Sequence, residues 1–90
     1  MTERLDNLLN LGPATARWLE EAGIETAAEL RRIGAIEAWA RLFRQGRRGL
    51  SRNALYALDG AVHGLRWNQL PPARRRELDA AWRRIREEKS

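Results

Sequence analysis

Apolar side chains recur every three to four residues through almost the whole chain, and no stretch of four or more residues alternates cleanly between apolar and polar. A repeat of 3.6 residues places such side chains along one side of a helix, whereas a half-buried strand needs a repeat of two. The spacing therefore predicts an all-α fold. At 90 residues the chain has the length of one domain. We expect a single domain over residues 1–90, folded as a compact bundle of five to six short helices.

Turn and capping residues predict where these helices begin and end. Leu11-Gly12-Pro13 predicts a tight turn followed by a helix, because proline suits the first helical position, where its missing N–H would have no intrahelical partner. We interpret this turn as a helix-hairpin-helix (SAM/HhH-like) element that organises the N-terminal half. Thr26-Ala27-Ala28-Glu29 is a capping box, and Ser51 is a predicted N-cap. The predicted helices cover about residues 3–9, 13–22, 27–33, 35–45, 52–65 and 72–87.

The fifth predicted helix contains Gly60 and Gly64. Each glycine inside a helix costs roughly 1 kcal/mol relative to alanine. We therefore expect a close neighbour to pack against this helix, and we interpret it as the central one.

Four tryptophans divide by their position relative to the apolar stripes. Trp18, Trp39 and Trp82 are in phase with an apolar stripe and are predicted core residues. Trp67 follows the fifth helix and is predicted to be exposed. Together with Leu70 it forms a candidate apolar patch for protein interaction, either with a partner protein or in a homodimer.

The charge is unevenly distributed, although the net charge is only +5. Residues 1–40 contain four arginines and seven acids, whereas residues 41–90 contain thirteen Lys or Arg and five acids. A basic half of this kind attracts phosphate backbones, acidic proteins or anionic lipid. The alternative is an arginine-rich surface that is simply solvated.

The sequence lacks the residues that several classes of function require. There is no cysteine and one histidine, so we expect no metal site and no cofactor. Ser51 has no suitably spaced base, His63 is interpreted as a helix-face residue, and Asp59 as part of a solvated helix face. We expect a non-enzyme without a small-molecule substrate. The polar N-terminus and the lack of a long apolar run predict a cytoplasmic protein without membrane association.

Two groups of residues carry a family resemblance. The first comprises Leu9-Asn10-Leu11-Gly12-Pro13, Trp18-Leu19, Ala22-Gly23-Ile24, Leu30, Gly34-Ala35 and Glu37-Ala38. The second comprises Ser51, Asn53, the run from Leu55 to Ala61, Gly64, Trp67 and Leu70-Pro71. Over about residues 5–80 the chain resembles the C-terminal domain of the bacterial TfoX/Sxy competence regulators.

The resemblance implies a helix-hairpin-helix-like domain in proteins that promote transcription of DNA-uptake genes together with the cyclic-AMP receptor protein. Family members typically carry an N-terminal α/β domain, whereas here only a few residues precede the motif. We expect a stand-alone relative or a fragment of a longer regulator.

Two candidate sites for duplex DNA follow. A hairpin of this kind presents backbone N–H groups to a phosphate, but Pro13 removes one donor and nearby glutamates oppose an anion. The hairpin residues are Gly12, Ala14, Thr15 and Arg17. The favoured candidates are arginines of the basic surface of residues 41–86, whose guanidinium groups suit phosphate. They are Arg44, Arg47, Arg48, Arg52, Arg74 and Arg75.

Overall fold

The computed structural model describes residues 4–46 and 50–89, and the predicted all-α fold is confirmed over these ranges, which contain no strand. The four α-helices are α1, Pro13–Glu21; α2, Ala27–Arg44; α3, Arg52–His63; and α4, Pro72–Lys89. A 3-10 helix at Leu5–Asn7 precedes α1, and a second at Trp67–Gln69 connects α3 to α4. None of the helices in the described part is long and apolar enough to cross a membrane.

The predicted count of five to six helices is not confirmed, for two local reasons. The helix expected at residues 3–9 is the 3-10 helix Leu5–Asn7, which ends because Leu8 has extended backbone angles (φ −76, ψ 146). The two helices expected on either side of Gly34 form one kinked helix, α2. Gly34 has φ 84 and ψ 163, a conformation that only glycine adopts easily.

The helix-hairpin-helix in the N-terminal half is also not confirmed. Since a three-residue 3-10 helix precedes it, the turn at Leu11-Gly12-Pro13 begins one α-helix instead of joining two. Its local conformation matches the prediction. Gly12 is an extended N-cap (φ −97, ψ 177) and Pro13 is the first helical residue.

Two predicted caps are formed by hydroxyl side chains. Thr26 Oγ1 accepts from the Glu29 backbone N–H at 3.1 Å, and Ser51 Oγ accepts from the Ala54 N–H at 3.2 Å. One bond differs from that of a standard capping box: the Glu29 carboxylate accepts from the N–H of Glu25 and not from that of the N-cap residue, Thr26. Such caps fix where α2 and α3 begin.

Trp39 is the centre of the core. It is fully buried, its Nε1 donates to the Ser51 carbonyl at 3.0 Å, and its ring stacks on Phe43 at 5.1 Å between centroids. Trp18 and Trp82 are partly buried and pack against the same core. The core prediction is therefore confirmed for Trp39, whereas Trp18 and Trp82 lie at the edge of the core.

The predicted close approach to α3 occurs at Gly60, where the side chain of Asn10 packs. Asn10 Nδ2 donates to the Leu65 carbonyl at 2.8 Å and to the Ala57 carbonyl at 3.4 Å, while its Oδ1 accepts from the Trp67 N–H at 3.2 Å. A Cβ at Gly60 would lie 2.5 Å from Asn10 Nδ2 and 2.5 Å from the Leu65 carbonyl oxygen. The Asn10 amide thus joins the N-terminal segment to the α3–α4 connection.

Gly64 has a different role from the one predicted. It is the C-cap of α3, in the left-handed conformation at φ 70 and ψ 28, and its Cβ position is open. The α3 helix packs against α2, α4 and the second 3-10 helix, as expected of a central helix.

Candidate nucleic-acid interface

One side of α4 is lined with arginines. Its members are Arg75, Arg76, Arg83 and Arg86. Residues three, four or seven apart share a side of a helix. Arg76 and Arg83 are seven residues apart, Arg83 and Arg86 are three apart, and Arg75 and Arg83 each lie four residues from Asp79. Asp79 lies at the centre of the side and Glu87 at its C-terminal margin. We call these four arginines, with Arg52 from α3, the α4 basic face.

Arg52 joins this face through Trp82 and Asp79. Its guanidinium carbon lies 5.4 Å from the centroid of the Trp82 ring, and its Nη1 lies 3.8 Å from Asp79 Oδ1. Arg86 also lies over Trp82, at 4.6 Å. Two guanidinium groups therefore contact the indole, which makes Trp82 a support for cations and not an open platform for stacked bases.

Tyr56 of α3 holds Asp79 in place. Its hydroxyl donates to Asp79 Oδ1, and the guanidinium carbon of Arg75 lies over its ring, 5.7 Å from the ring centroid. The hydrogen bond to Asp79, together with burial, raises the pKa of Tyr56 above its usual value. The Tyr56 hydroxyl consequently stays protonated and remains a donor at neutral pH.

The basic face contains arginines that have no anionic partner. In the described part of the chain, Arg76 and Arg83 are exposed and make no hydrogen bond or ion pair. The buried Nε of Arg75 also has no acceptor. Arg84 is equally exposed and unpaired, but it lies on the other side of α4, seven residues from Glu77 and four from Glu88.

The arginines predicted from the sequence lie in different environments. Arg52 and Arg75 belong to the α4 basic face. Arg44, at the end of α2, lies 3.8 Å from Glu37 and 3.7 Å from Glu88. Arg47 and Arg48 are outside the described residues. The prediction did not single out Arg76, Arg83 and Arg86, although their helical spacing was visible in the sequence.

Arg74 is held by a buried carboxylate. Its Nη2 and Nε donate to Asp59 Oδ1 and Oδ2 at 2.7 and 3.0 Å, and its Nη1 donates to Glu77 at 2.9 Å. Asp59 is 1% exposed, so its interpretation as part of a solvated helix face was wrong. The hydrogen bond to Asp59 raises the pKa of Arg74. Arg74 therefore connects α4 to α3 and is a structural residue first.

A cleft of about 440 Å³ adjoins this ion pair. His63 lines it, with Nδ1 2.9 Å from the Asp59 carbonyl oxygen and 3.5 Å from Asp59 Oδ2. The remaining walls are mostly apolar and come from the α3–α4 connection. Among the described residues, no group of three or more His, Asp or Glu side chains could hold a metal ion.

The hairpin candidates offer a weaker anion site. At the start of α1, Ala14 is exposed and Thr15 is half-buried. The N-cap residue, Gly12, has no side chain that could cap the helix. Arg17 lines a small depression of about 190 Å³, which the carboxylate-bearing Glu20 also lines. Glu20 belongs to the last turn of α1, and its carboxylate opposes a phosphate in this depression, as expected from the sequence.

The predicted apolar patch contains Trp67 but not Leu70. Trp67 is 46% exposed, whereas Leu70 is 5% exposed and belongs to the core, because its side chain packs inward just before α4 begins. Leu9, which is 39% exposed, precedes Asn10, whose side chain bonds to the Trp67 backbone. Among the described residues, the exposed large apolar side chains are therefore Trp67 and Leu9.

A family model described as the TfoX C-terminal domain matches residues 1–82. The chain belongs to the TfoX C-terminal domain family. Protein Sxy from Escherichia coli K12 is 40% identical over 80 residues, which are 89% of this chain and 37% of Sxy. This TfoX C-terminal domain thus spans little more than a third of the length of its curated relative. The resemblance found in the sequence is confirmed.

Two crystal structures of Listeria monocytogenes proteins show the same TfoX C-terminal domain fold. An uncharacterized protein, in a triclinic form, has a TM-score of 0.81 and 38% identity, with 84% of this chain and 85% of that chain covered. A protein of unknown function, in a tetragonal form, has a TM-score of 0.85 and 36% identity, with 90% of this chain and 99% of that chain covered.

Proposed function

We propose that this TfoX C-terminal domain is a non-catalytic, cytoplasmic module of competence-linked transcription regulation that contacts the backbone of duplex DNA through the α4 basic face. The observation that carries the proposal is the placement of five arginines on one surface around a single central acid. The family adds the regulatory context, since the resemblance implies proteins that promote transcription of DNA-uptake genes. No cofactor takes part in the proposed function.

The dimensions and chemistry of the face suit a run of phosphates. Arg75 and Arg86 are eleven residues apart, which corresponds to about 16 Å along a helix axis. Guanidinium groups bind phosphate oxygens bidentately. Because Arg76 and Arg83 have no carboxylate partner in the described structure, no ion pair must break before they bind DNA. The covering of Trp82 by Arg52 and Arg86 favours contact with the backbone over stacking with unpaired bases.

The non-catalytic part of the proposal follows from how the titratable groups are used. Asp59 is buried and occupied by Arg74, and the Ser51 hydroxyl caps α3. Asp59 also lies beside His63, but among the described residues the cleft next to them is lined by no hydroxyl or thiol that a base could activate. The arrangement stabilises the fold and presents cations, which is what a binding module requires.

The DNA proposal predicts strong salt dependence. If five phosphates are neutralised, the affinity for duplex DNA falls about 500-fold between 50 and 200 mM salt. Fluorescence anisotropy of a labelled duplex at several salt concentrations measures this slope. The absence of binding at micromolar protein, or binding that is insensitive to salt, would contradict the proposal.

A second candidate function is protein docking, which the exposure of Trp67 and Leu9 favours. If this pair forms a homodimer, light scattering will give a mass above that of the monomer at tens of micromolar protein. Trp67→Ala will then restore the monomer, since it removes the exposed indole and leaves the backbone bond to Asn10. A monomeric mass at every concentration would exclude the homodimer. DNA binding unchanged by Trp67→Ala would show that the two surfaces are separate.

A further inference from the structure

Asp79 is an acid in the centre of a surface that otherwise carries arginines. It is four residues from Arg75 and from Arg83, and three residues from Arg76. Its side chain is 27% exposed, and Oδ1 lies 3.8 Å from Arg52 Nη1. A carboxylate in this position faces whatever anion the arginines bind.

The carboxylate cannot easily leave the face. Tyr56 donates its hydroxyl hydrogen to Asp79 Oδ1, and Tyr56 itself is 8% exposed, between α3 and α4. The hydrogen bond therefore comes from a side chain that is fixed by packing. Exposed acids such as Glu87 have no such anchor in the described structure and can turn towards solvent.

We propose that Asp79 is a built-in competitor of phosphate that limits the affinity of the α4 basic face and makes that face select polyanions over single anions. This inference rests on the proposed binding of DNA by the same face. A single phosphate near Arg52 meets the fixed carboxylate. A chain of phosphates can bind the arginines on both sides of Asp79, because Arg76 and Arg83 are separated by about 10 Å along the helix.

The expected effect is a gain of affinity when the charge is removed. Two unit charges 4 Å apart in water interact by an amount that corresponds to about a fivefold change in affinity. Asp79→Asn keeps an oxygen that accepts from Tyr56 and removes only the charge. We expect it to bind labelled duplex DNA about fivefold more tightly than the wild type at 50 mM salt. Screening will reduce this difference as the salt concentration rises.

The experiment compares four proteins by fluorescence anisotropy at 50 and 200 mM salt, after their folding has been checked by circular dichroism. They are the wild type, Asp79→Asn, Asp79→Ala and Glu77→Gln. Asp79→Ala is a second neutral variant in case the amide perturbs packing. Glu77→Gln is the matched control, because it removes the same charge from the other side of α4 and leaves Arg74 bound to Asp59. We expect its affinity to stay within about twofold of the wild type.

Binding by the wild type together with tighter binding by the neutral Asp79 variants supports the inference. If the wild type binds and these variants bind equally or more weakly, Asp79 is not a competitor, and the proposed DNA function stands without it. An equal gain in Glu77→Gln would assign the effect to net charge and overturn the inference. If neither the wild type nor the Asp79 variants bind, the proposed function and the inference both fail.

Discussion

Replacing Gly60 with alanine is expected to lower the free energy of unfolding by about 3 kcal/mol. The new Cβ would lie 2.5 Å from Asn10 Nδ2 and from the Leu65 carbonyl oxygen, and the latter is backbone. Overpacking of this kind costs about 1–3 kcal/mol, and displacing Asn10 also removes the donor to the part-buried Leu65 carbonyl, at about 1–3 kcal/mol. The higher helix propensity of alanine offsets about 1 kcal/mol.

Urea denaturation of the Gly60→Ala variant measures this loss. Gly12→Ala is the matched control, because nothing lies within 4 Å of a Cβ at Gly12 and its φ of −97 suits any residue. We expect the control to stay within about 0.5 kcal/mol of the wild type. A Gly60→Ala variant as stable as the control would show that Asn10 does not clamp the α3–α4 connection.

The second large effect is expected from a substitution that breaks the Asp59–Arg74 ion pair. Arg74→Met removes the guanidinium that donates twice to Asp59 and leaves a carboxylate that is 1% exposed. Removing one partner of a buried pair costs about 3–5 kcal/mol, and the lower end applies because Arg74 is itself partly exposed. We expect a loss of about 3 kcal/mol in the free energy of unfolding.

Thermal and urea denaturation test the prediction for Arg74, with Glu77→Gln as the comparison. Glu77 binds the same guanidinium from an exposed position, so its loss should cost less than about 1 kcal/mol. If Arg74→Met and Glu77→Gln lower the free energy of unfolding equally, the claim that Arg74 stabilises the fold by pairing with the buried Asp59 is contradicted. A loss of DNA binding by folded Arg74→Met would instead assign Arg74 to the interface.

Local signals in the sequence predicted where several helices begin, because the residues that cap a helix act within one turn. Thr26 and Ser51 were identified as caps in this way, and Pro13 as the first residue of α1. At Gly34 the predicted break is present as a non-helical kink within α2, whereas the shortness of the first helix depends on contacts with distant segments. The spacing of apolar residues does not encode such contacts, so the predicted number of helices was too high.

The same distinction applies to the candidate site. The excess of basic residues after position 40 directed attention to α3 and α4, and the predicted candidates include two arginines of the α4 basic face, Arg52 and Arg75. The sequence could not show that Arg74 is bound to Asp59, because the partners are fifteen residues apart on different helices. The inward turn of Leu70 is likewise a tertiary property. From sequence alone, an acid such as Asp59 is therefore predicted to be solvated, because its partner Arg74 is identified only by the structure.

The α4 basic face is the central claim, and a pair of matched double variants tests it most directly. Arg76→Ala/Arg83→Ala removes two exposed, unpaired arginines from the face, whereas Arg32→Ala/Arg84→Ala removes two exposed, unpaired arginines from elsewhere. Both lower the net charge equally. In anisotropy titrations with a labelled duplex, we expect the first variant to weaken binding at least tenfold and to reduce the salt slope by about 2, with the second within about twofold of the wild type. Equal losses in the two variants would contradict a defined interface on α4.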